Sequence, residues 1–362
     1  MRTPSGAVLV CNPPMVGVQS TSESYCRRAL PRVSRTFAIN IRVLSGVLGD
    51  WVRTAYLLCR IADTLEDDWP ESRTPVEERF DLLRRALGGE SRAAVDLASS
   101  VPASVSEDAP ALDLVRHAPI VVARLDGFAP GPRGVVAEGV TTLASGMERF
   151  ARRAPARASR AYVEDDAELH QYCYVVAGCV GEMLTRLYAH TQRNGHDSRL
   201  DEMLRLSPAF GEGLQLTNIL LDLPVDLPRG RCYVPQSWLE AEGLTRGSLR
   251  DAARADSVDR VLGRLESMAL AGLDAAQRYT LLIPRSRWRY RLFCAWPSLW
   301  ALGSIAAARS ARAFPFAVAR PRLGRAEIGR IARASVSRVL SNRALAALFR
   351  RVRPAERMGP LR

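Results

Sequence analysis

Apolar residues recur at intervals of three and four along almost the whole chain, with no convincing alternation of period two. Stretches such as "LLCRIADTLED" and "VVAGCVGEMLTRLY" carry the pattern. It is that of a helix turning one face to a core. The spacing predicts helices over 24–30, 34–68, 76–88, 92–99, 111–124, 134–154, 164–193, 198–223, 236–242, 246–254, 257–282, 289–312 and 325–351. The breaks between them have loop chemistry: "SSVPASVSEDAP" at 99–110, "DGFAPGPRG" at 126–134 and "PVDLPRGR" at 224–231. The expected fold class is all-α, without an internal repeat of fixed period. A folded body is expected over 21–312, after a disordered tail at 1–20 and before a basic, helical arm at 313–362.

Composition adds where the charge sits. The chain of 362 residues carries a formal net charge of +13 and a pI near 10.1. All 51 basic residues are arginine. From Arg285 onward 18 arginines face only Glu327 and Glu356, while the rest of the chain holds 33 arginines against 36 acids. A nearly neutral body therefore precedes a basic C-terminal stretch. Aromatics alternate with arginines in "RSRWRYRLFCAWP", but no nucleic-acid-binding motif is present, so no nucleic-acid partner is expected. Peripheral contact with an anionic membrane surface is the preferred use of the basic stretch. A non-enzymatic membrane-surface or nucleic-acid binder is the alternative of a different class.

The seven cysteines are an odd number and form no CxxC pair. That pattern suits a reduced, cytoplasmic protein without a zinc site, resting on the inner face of a membrane if it meets one. The apolar "AVLVC" near the start is cut short by Pro13-Pro14, and no cleavable signal is expected there. The run Leu292 to Ala308 is apolar, but its 17 residues give roughly 25 Å of helix and include Pro297. It reads as a buried core helix.

Two segments place acids where a greasy helix ends. In "RIADTLEDD", Asp63 and Asp67 stand four apart with Glu66 beside them; in "NILLDLPVD", Asp222 and Asp226 repeat the spacing. On a helix each pair shares a face and repels itself, so it needs solvent or a cation. Either pair alone reads as a solvated face. Two pairs, each after an apolar stretch, suit Mg²⁺ held by oxygen ligands and shared with phosphate. Arg60 and Tyr56 lie one and two turns before the first pair, and Ser34 is placed to cap the same helix. Ser34, Arg35 and Arg60 fit either the edge of an anion site or ordinary capping. Gly178 and Gly181 interrupt an apolar helix, as a kink, a close helix contact or room for a bulky ligand. Tyr172 heads that helix, where a ring face can stabilise a carbocation and a hydroxyl can meet a leaving group.

In order, "SRTFAINIRVL", "AYLLCRIADTLEDD", "YCYVVAGCVGEML", "GEGLQLTNILLDLPVD" and "RGRCYVP" resemble the squalene/phytoene synthases, which join two prenyl diphosphates head to head. The resemblance runs from "SRTF" through "FCAWP" and implies a single-domain isoprenoid-synthase helical bundle around a deep central chamber. It implies that Asp63, Glu66, Asp67, Asp222 and Asp226 hold Mg²⁺ and thereby the diphosphates. It places Tyr56, Arg60, Gln215 and Asn218 at diphosphate or metal, and Tyr172 near the reacting carbons. Phe37, Val176, Gly181 and Leu184 would line the chamber, and Arg231 and Tyr233 belong to the flap that follows the second acidic motif.

Two positions depart from the family pattern. Leu221 stands where an arginine is common, and Val225 where a glutamate is often found. One phosphate contact is therefore expected to be lost, or moved to Arg229 or Arg231. Pro224 and Pro228 are expected to end the helix where the flap begins. "GMERF" and "FCAWP" favour squalene synthase over phytoene synthase. The expected reaction therefore joins two farnesyl diphosphates to presqualene diphosphate and, with NADPH, to squalene. Phytoene synthesis from geranylgeranyl diphosphate, dehydrosqualene synthesis and terpene cyclisation are the enzymatic alternatives.

Overall fold

The computed structural model describes residues 16–355, except 68, 70–73, 103–108, 154–159, 193–197, 312–313 and 317–319. The side chains of 16–19, Arg35 and Asp67 are likewise outside the described set. Among the described residues the fold is helical, with no strand. Its α-helices are α1 (Val16–Val33), α2 (Arg35–Arg42), α3 (Gly46–Asp67), α4 (Val76–Leu87), α5 (Ser91–Ser99), α6 (Pro110–Arg116), α7 (Ala118–Asp126) and α8 (Pro130–Arg153). They continue as α9 (Asp166–Cys173), α10 (Cys179–Ala189), α11 (Ser198–Asp226), α12 (Gln236–Ala241), α13 (Ala255–Leu282), α14 (Trp288–Ser310), α15 (Arg325–Val336) and α16 (Asn342–Val352).

The predicted helix over 34–68 is two helices. The chain turns at Gly46, whose φ of +64° is left-handed and suits glycine. The predicted helix over 164–193 is interrupted by a π-helical turn, Tyr174–Gly178, between α9 and α10. In the other direction, α11 runs through Pro224 to Asp226 rather than stopping at it. The proline forfeits one backbone bond, but Leu220, Leu223 and Pro224 are buried, and that packing holds the turn together. A short 3₁₀ turn over Leu227–Arg229 follows, closed by Gly230 at φ 79°.

Two apolar clusters form the core. One joins α1 to α8 with α10; the other joins α11, α13 and α14 to α15 and α16. The long helices α11 and α13 approach so closely that a Cβ on Gly272 would lie 2.5 Å from the Cα of Gly213. Only glycine permits that backbone contact. The apolar run in α14 is core, as expected: Leu299 and Ile305 are both fully buried. Among the described residues no helix is long and apolar enough to cross a membrane.

Pro297 lies inside α14 and cannot donate to the carbonyl of Phe293 one turn before it. The Nδ2 of Asn40, on α2, donates to that carbonyl instead, at 3.1 Å. This bond fastens α2 to α14.

The basic stretch is not a detached arm. Ile331, Leu345, Leu348 and Phe349 are buried in the second cluster. Trp296 Nε1 donates to Ser335 Oγ at 2.7 Å, and Arg291 Nη2 to Asn342 Oδ1 at 2.8 Å. Arg309 bridges the buried Glu266 to the carbonyl of Ala355. The amphipathic faces of α15 and α16 explain the docking, since each buries an apolar stripe and leaves its arginines outward. At the other end, α1 already includes residues 16–20, and the rest of the expected tail lies outside the described residues.

Candidate functional site

Helix α3 presents Tyr56, Asp63 and Glu66 to a cavity of about 410 Å³. Their spacing puts them on one face, with Arg60 on the same stripe. Arg60 Nη1 lies 3.9 Å from Asp63 Oδ2. Helix α11 contributes Gln215 and Asn218 to the same cavity, again one turn apart. Phe37 from α2 closes over Tyr56, with ring centroids 5.3 Å apart. Ser34 is the N-cap of α2, its Oγ accepting from the Phe37 N–H at 3.3 Å. It therefore caps α2 rather than the helix of the first acidic motif.

The remaining wall is apolar. Val176 comes from the π turn, Gly181 and Leu184 from α10, and Leu143, Met147 and Phe210 from α8 and α11. The expected chamber residues Phe37, Val176, Gly181 and Leu184 all line the cavity. Gly181 serves packing as well as space. A Cβ there would sit 2.2 Å from the Ser207 carbonyl oxygen, and one on Gly211 2.3 Å from that of Ala177. The π turn and α10 thus lie against the backbone of α11, and the extra residue of the bulge re-aims the wall.

Polar groups at the deep end satisfy one another. The hydroxyls of Thr185 and Tyr279 are 2.8 Å apart, as are those of Tyr279 and Tyr290. Burial pushes both phenols well above their ordinary pKa, so they stay protonated. The cavity thiols of Cys59 and Cys294 are raised by burial too, which removes the thiolate. The six described cysteines are all free.

Tyr172 borders the cavity within an aromatic group that the sequence did not reveal. Tyr233 stacks on it at 4.7 Å, and Phe150 meets its edge at 5.1 Å. Tyr162 joins them, and its hydroxyl donates to Glu66 Oε1 at 3.3 Å. Burial, chiefly, drives the Tyr172 pKa up, leaving the hydroxyl a donor. Cys232, Val163 and Glu164 link the flap to the strandless segment before α9, through bonds such as Gln236 N–H to the Val163 carbonyl at 3.0 Å. Because Phe150, Tyr162 and Tyr233 sit far apart in sequence, only "GMERF" offered a hint, and it did not say what Phe150 touches.

The second acidic motif is placed differently. Asp222 and Asp226 are partly buried on α11 but do not line the cavity; neither do Ser34, Arg60, Arg231 and Tyr233. The side chains of Arg35 and Asp67 lie outside the described residues. Asp222 is paired with Arg320, whose Nη1 is 2.8 Å from Oδ1, while Nη2 donates to Asn218 Oδ1 at 3.2 Å. Burial raises the Asp222 pKa, opposed by Arg320, Arg322 and Arg229. Leu221 points into the interior and is 1% exposed. The cation beside Asp222 is therefore Arg320, which no local spacing could indicate, rather than Arg229 or Arg231 alone.

The donors that line the polar end are of a kind that suits a hard cation: Asp63 and Glu66 offer carboxylate oxygen, and Gln215 and Asn218 offer amide oxygen, while Asp222 and Asp226 stand outside the lining. Among the described residues no three His, Cys, Asp or Glu side chains form a metal-binding group.

The family model for squalene/phytoene synthase matches residues 30–329. The chain belongs to the squalene/phytoene synthase family. Its relatives include squalene synthase LSS of Botryococcus braunii, 28% identical over 78% of this chain and 57% of that protein. Squalene synthase of Rattus norvegicus is 28% identical over 80% of this chain and 64% of that protein. A bifunctional lycopene cyclase/phytoene synthase of Podospora anserina is 27% identical over 70% of this chain and 42% of that protein. This member of the family thus spans less than two thirds of the length of each of these relatives. TcSQS, solved with a ligand, superposes with a TM-score of 0.74 at 23% identity, covering 92% of this chain and 90% of that one. A dehydrosqualene synthase gives 0.59 at 20% identity, over 94% of this chain and 98% of that one. Those two likenesses establish the isoprenoid-synthase helical fold. The family match also reaches into α15, in keeping with its docking on the core.

Proposed function

We propose that the chain is a prenyltransferase that joins two farnesyl diphosphates head to head, through presqualene diphosphate, to squalene. The observation that carries this reading is one cavity with two unlike ends. Carboxylates and amides stand at one end on α3 and α11, and apolar side chains with neutral, mutually bonded phenols line the rest. A substrate with a diphosphate head and a long hydrocarbon tail matches that polarity.

Asp63, Glu66, Asp222 and Asp226 would hold Mg²⁺, with Gln215 and Asn218 beside it. Bound there, the metal would draw charge from the diphosphate leaving group. Arg60 adds positive charge next to Asp63. Ionisation of one allylic diphosphate releases pyrophosphate and leaves an allylic cation, which the double bond of the second substrate attacks. Loss of a proton, which the released pyrophosphate can accept, then closes the cyclopropane of presqualene diphosphate. The rings of Tyr172 and its neighbours stabilise positive charge at the reacting carbons. The protonated hydroxyl of Tyr172 can donate to the departing pyrophosphate. Neutral thiols and occupied hydroxyls along the wall deny the cation a nucleophile, and the apolar lining keeps water out. A second ionisation, with departure of the remaining diphosphate, and rearrangement would follow; NADPH, when bound, would supply the hydride that completes squalene.

Incubation with labelled farnesyl or geranylgeranyl diphosphate and Mg²⁺, with and without NADPH, tests the reading. Squalene formed only with NADPH supports it. A C40 product makes the chain a phytoene synthase, a C30 triene that ignores NADPH a dehydrosqualene synthase, and a cyclic product from one diphosphate a cyclase. No condensation with either substrate sinks the prenyltransferase reading.

The chain also meets anionic membrane surfaces in this proposal, by electrostatic contact at the cytoplasmic face. Exposed Arg325, Arg330, Arg343, Arg350 and Arg351 on α15 and α16 support it, together with exposed Val336 at the end of α15 and exposed Leu340 between the two helices. Flotation with vesicles of anionic lipid is expected at low salt and lost at high salt. Binding that ignores salt, or its absence at low salt, counts against the contact.

A further inference from the structure

Glu66 lines the cavity from α3, and the tertiary structure brings it a donor from 96 residues away. The hydroxyl of Tyr162 donates to Glu66 Oε1 at 3.3 Å. Tyr162 does not itself line the cavity, so any effect it has on the site passes through a neighbour. Burial, and after it the Glu66 charge, push the phenol above its ordinary pKa, which keeps the proton on the oxygen.

The segment that carries Tyr162 is fixed by the flap and the turn after it. The Tyr162 N–H donates to the Cys232 carbonyl at 2.5 Å, and the Ala161 N–H to Gln236 Oε1 at 3.1 Å. In return, the N–H groups of Gln236 and Ser237 donate to the carbonyls of Val163 and Glu164, at 3.0 and 2.9 Å. Ala161 and Val163 are buried, and the Tyr162 ring packs near those of Phe150 and Tyr233, with centroids 6.4 and 5.0 Å away. Phenylalanine would serve that packing as well. A hydroxyl placed on a cavity carboxylate therefore calls for another account.

We propose that Tyr162 is a positioning residue for the first acidic motif: its hydroxyl, held in place from the flap, fixes the orientation in which Glu66 presents its free oxygen sites to a cation. The proposal rests on the prenyl diphosphate reading above. A carboxylate has more acceptor sites than one donor can fill, so the bond to Oε1 leaves others open. The long glutamate side chain otherwise loses its rotamer freedom only when the cation arrives. A neutral phenol removes that cost without cancelling the charge, as a donor behind a metal ligand does.

The test uses the full chain with Tyr162→Phe, Glu66→Gln and the double variant. Retention of labelled inorganic pyrophosphate is measured by equilibrium dialysis across a series of Mg²⁺ concentrations and read as the magnesium midpoint. The melting temperature and, at saturating magnesium, kcat and KM for farnesyl diphosphate are measured beside it. Tyr162→Phe is expected to raise the midpoint by about tenfold, with kcat at saturating magnesium largely kept. Its melting temperature stays close to that of the parent, because the ring remains. In the Glu66→Gln background the same change should leave the midpoint where Glu66→Gln alone put it. An unchanged midpoint in Tyr162→Phe overturns the proposal, with or without a lowered melting temperature. A full additional rise in the double variant also overturns it, since Tyr162 would then act by another route. A lower midpoint does so too, by making the hydroxyl a competitor of the cation. A parent chain that retains pyrophosphate yet condenses no prenyl diphosphate defeats the earlier reading instead, while the midpoints still decide the role of Tyr162.

Discussion

The ring of Tyr233 lies on the ring of Tyr172, with centroids 4.7 Å apart and planes inclined by 23°. The first belongs to the flap after α11 and the second to the end of α9, so the stack ties flap position to the aromatic edge of the cavity. Tyr233→Ala removes the stack and is expected to lower turnover by about tenfold or more, with about 1 kcal/mol of stability lost. Tyr233→Phe keeps the ring and should retain most activity. Product formation and thermal melting of both variants check this. Equal turnover in Tyr233→Ala and the parent would detach the flap from catalysis.

Asp63 lines the cavity together with Glu66 and stands near Arg60. Asp63→Asn keeps the shape and removes the charge. Magnesium-dependent product formation is expected to fall by about 100-fold or more, with the melting temperature little changed. A magnesium titration of activity in the variant should need higher metal to saturate. Parent-like activity at low magnesium would remove Asp63 from the metal site.

Gly181 combines two demands, cavity wall and backbone contact, and Gly181→Val offends both. Its Cβ would meet the Ser207 carbonyl at 2.2 Å, so α10 and α11 must move apart. A loss of about 1–3 kcal/mol is expected from denaturant unfolding, with poorer use of long prenyl chains.

Leu221→Arg restores the residue common in the family, yet the site is 1% exposed. A guanidinium there has to be buried or to push α11 aside. The expected result is destabilisation of about 3 kcal/mol and no gain in turnover, measured by unfolding and steady-state kinetics. Higher turnover in a stable variant would show that position 221 can reach the diphosphate after all.

Asn40 repairs a backbone defect made by Pro297. Asn40→Leu leaves the Phe293 carbonyl without this donor inside the core. A cost of about 1–3 kcal/mol is expected from chemical denaturation. The paired change Pro297→Ala, Asn40→Leu should recover part of it, because alanine at 297 supplies an N–H to the same carbonyl.

The helices were legible because their evidence is local. Apolar spacing along α3, α8, α11, α13 and α14 records which face each one buries, and one turn of separation joins Tyr56, Arg60, Asp63 and Glu66 without knowledge of any other helix. Breaks were less legible. The predicted helix over 34–68 gave no sign that it would part at Gly46, and Pro224 looked like a terminator. A helix through proline depends on packing by residues such as Leu220 and Leu223 that propensity does not weigh.

By itself, then, the sequence determined an all-α chain of the squalene/phytoene synthase family with two acidic motifs and an apolar central helix. Those are properties of spacing and residue order, which act over a few residues at a time. Tertiary structure alone decided which groups meet. It placed Tyr162 on Glu66, packed Tyr233 on Tyr172, docked the basic C-terminal helices on the core, and set Arg320 against Asp222 where Leu221 has no charge. Each partner comes from a distant stretch, and its position follows from how whole helices bury their apolar faces. A charge can be supplied from anywhere the packing brings it within about 3 Å of its partner, so its absence at one position in the sequence says little about the site.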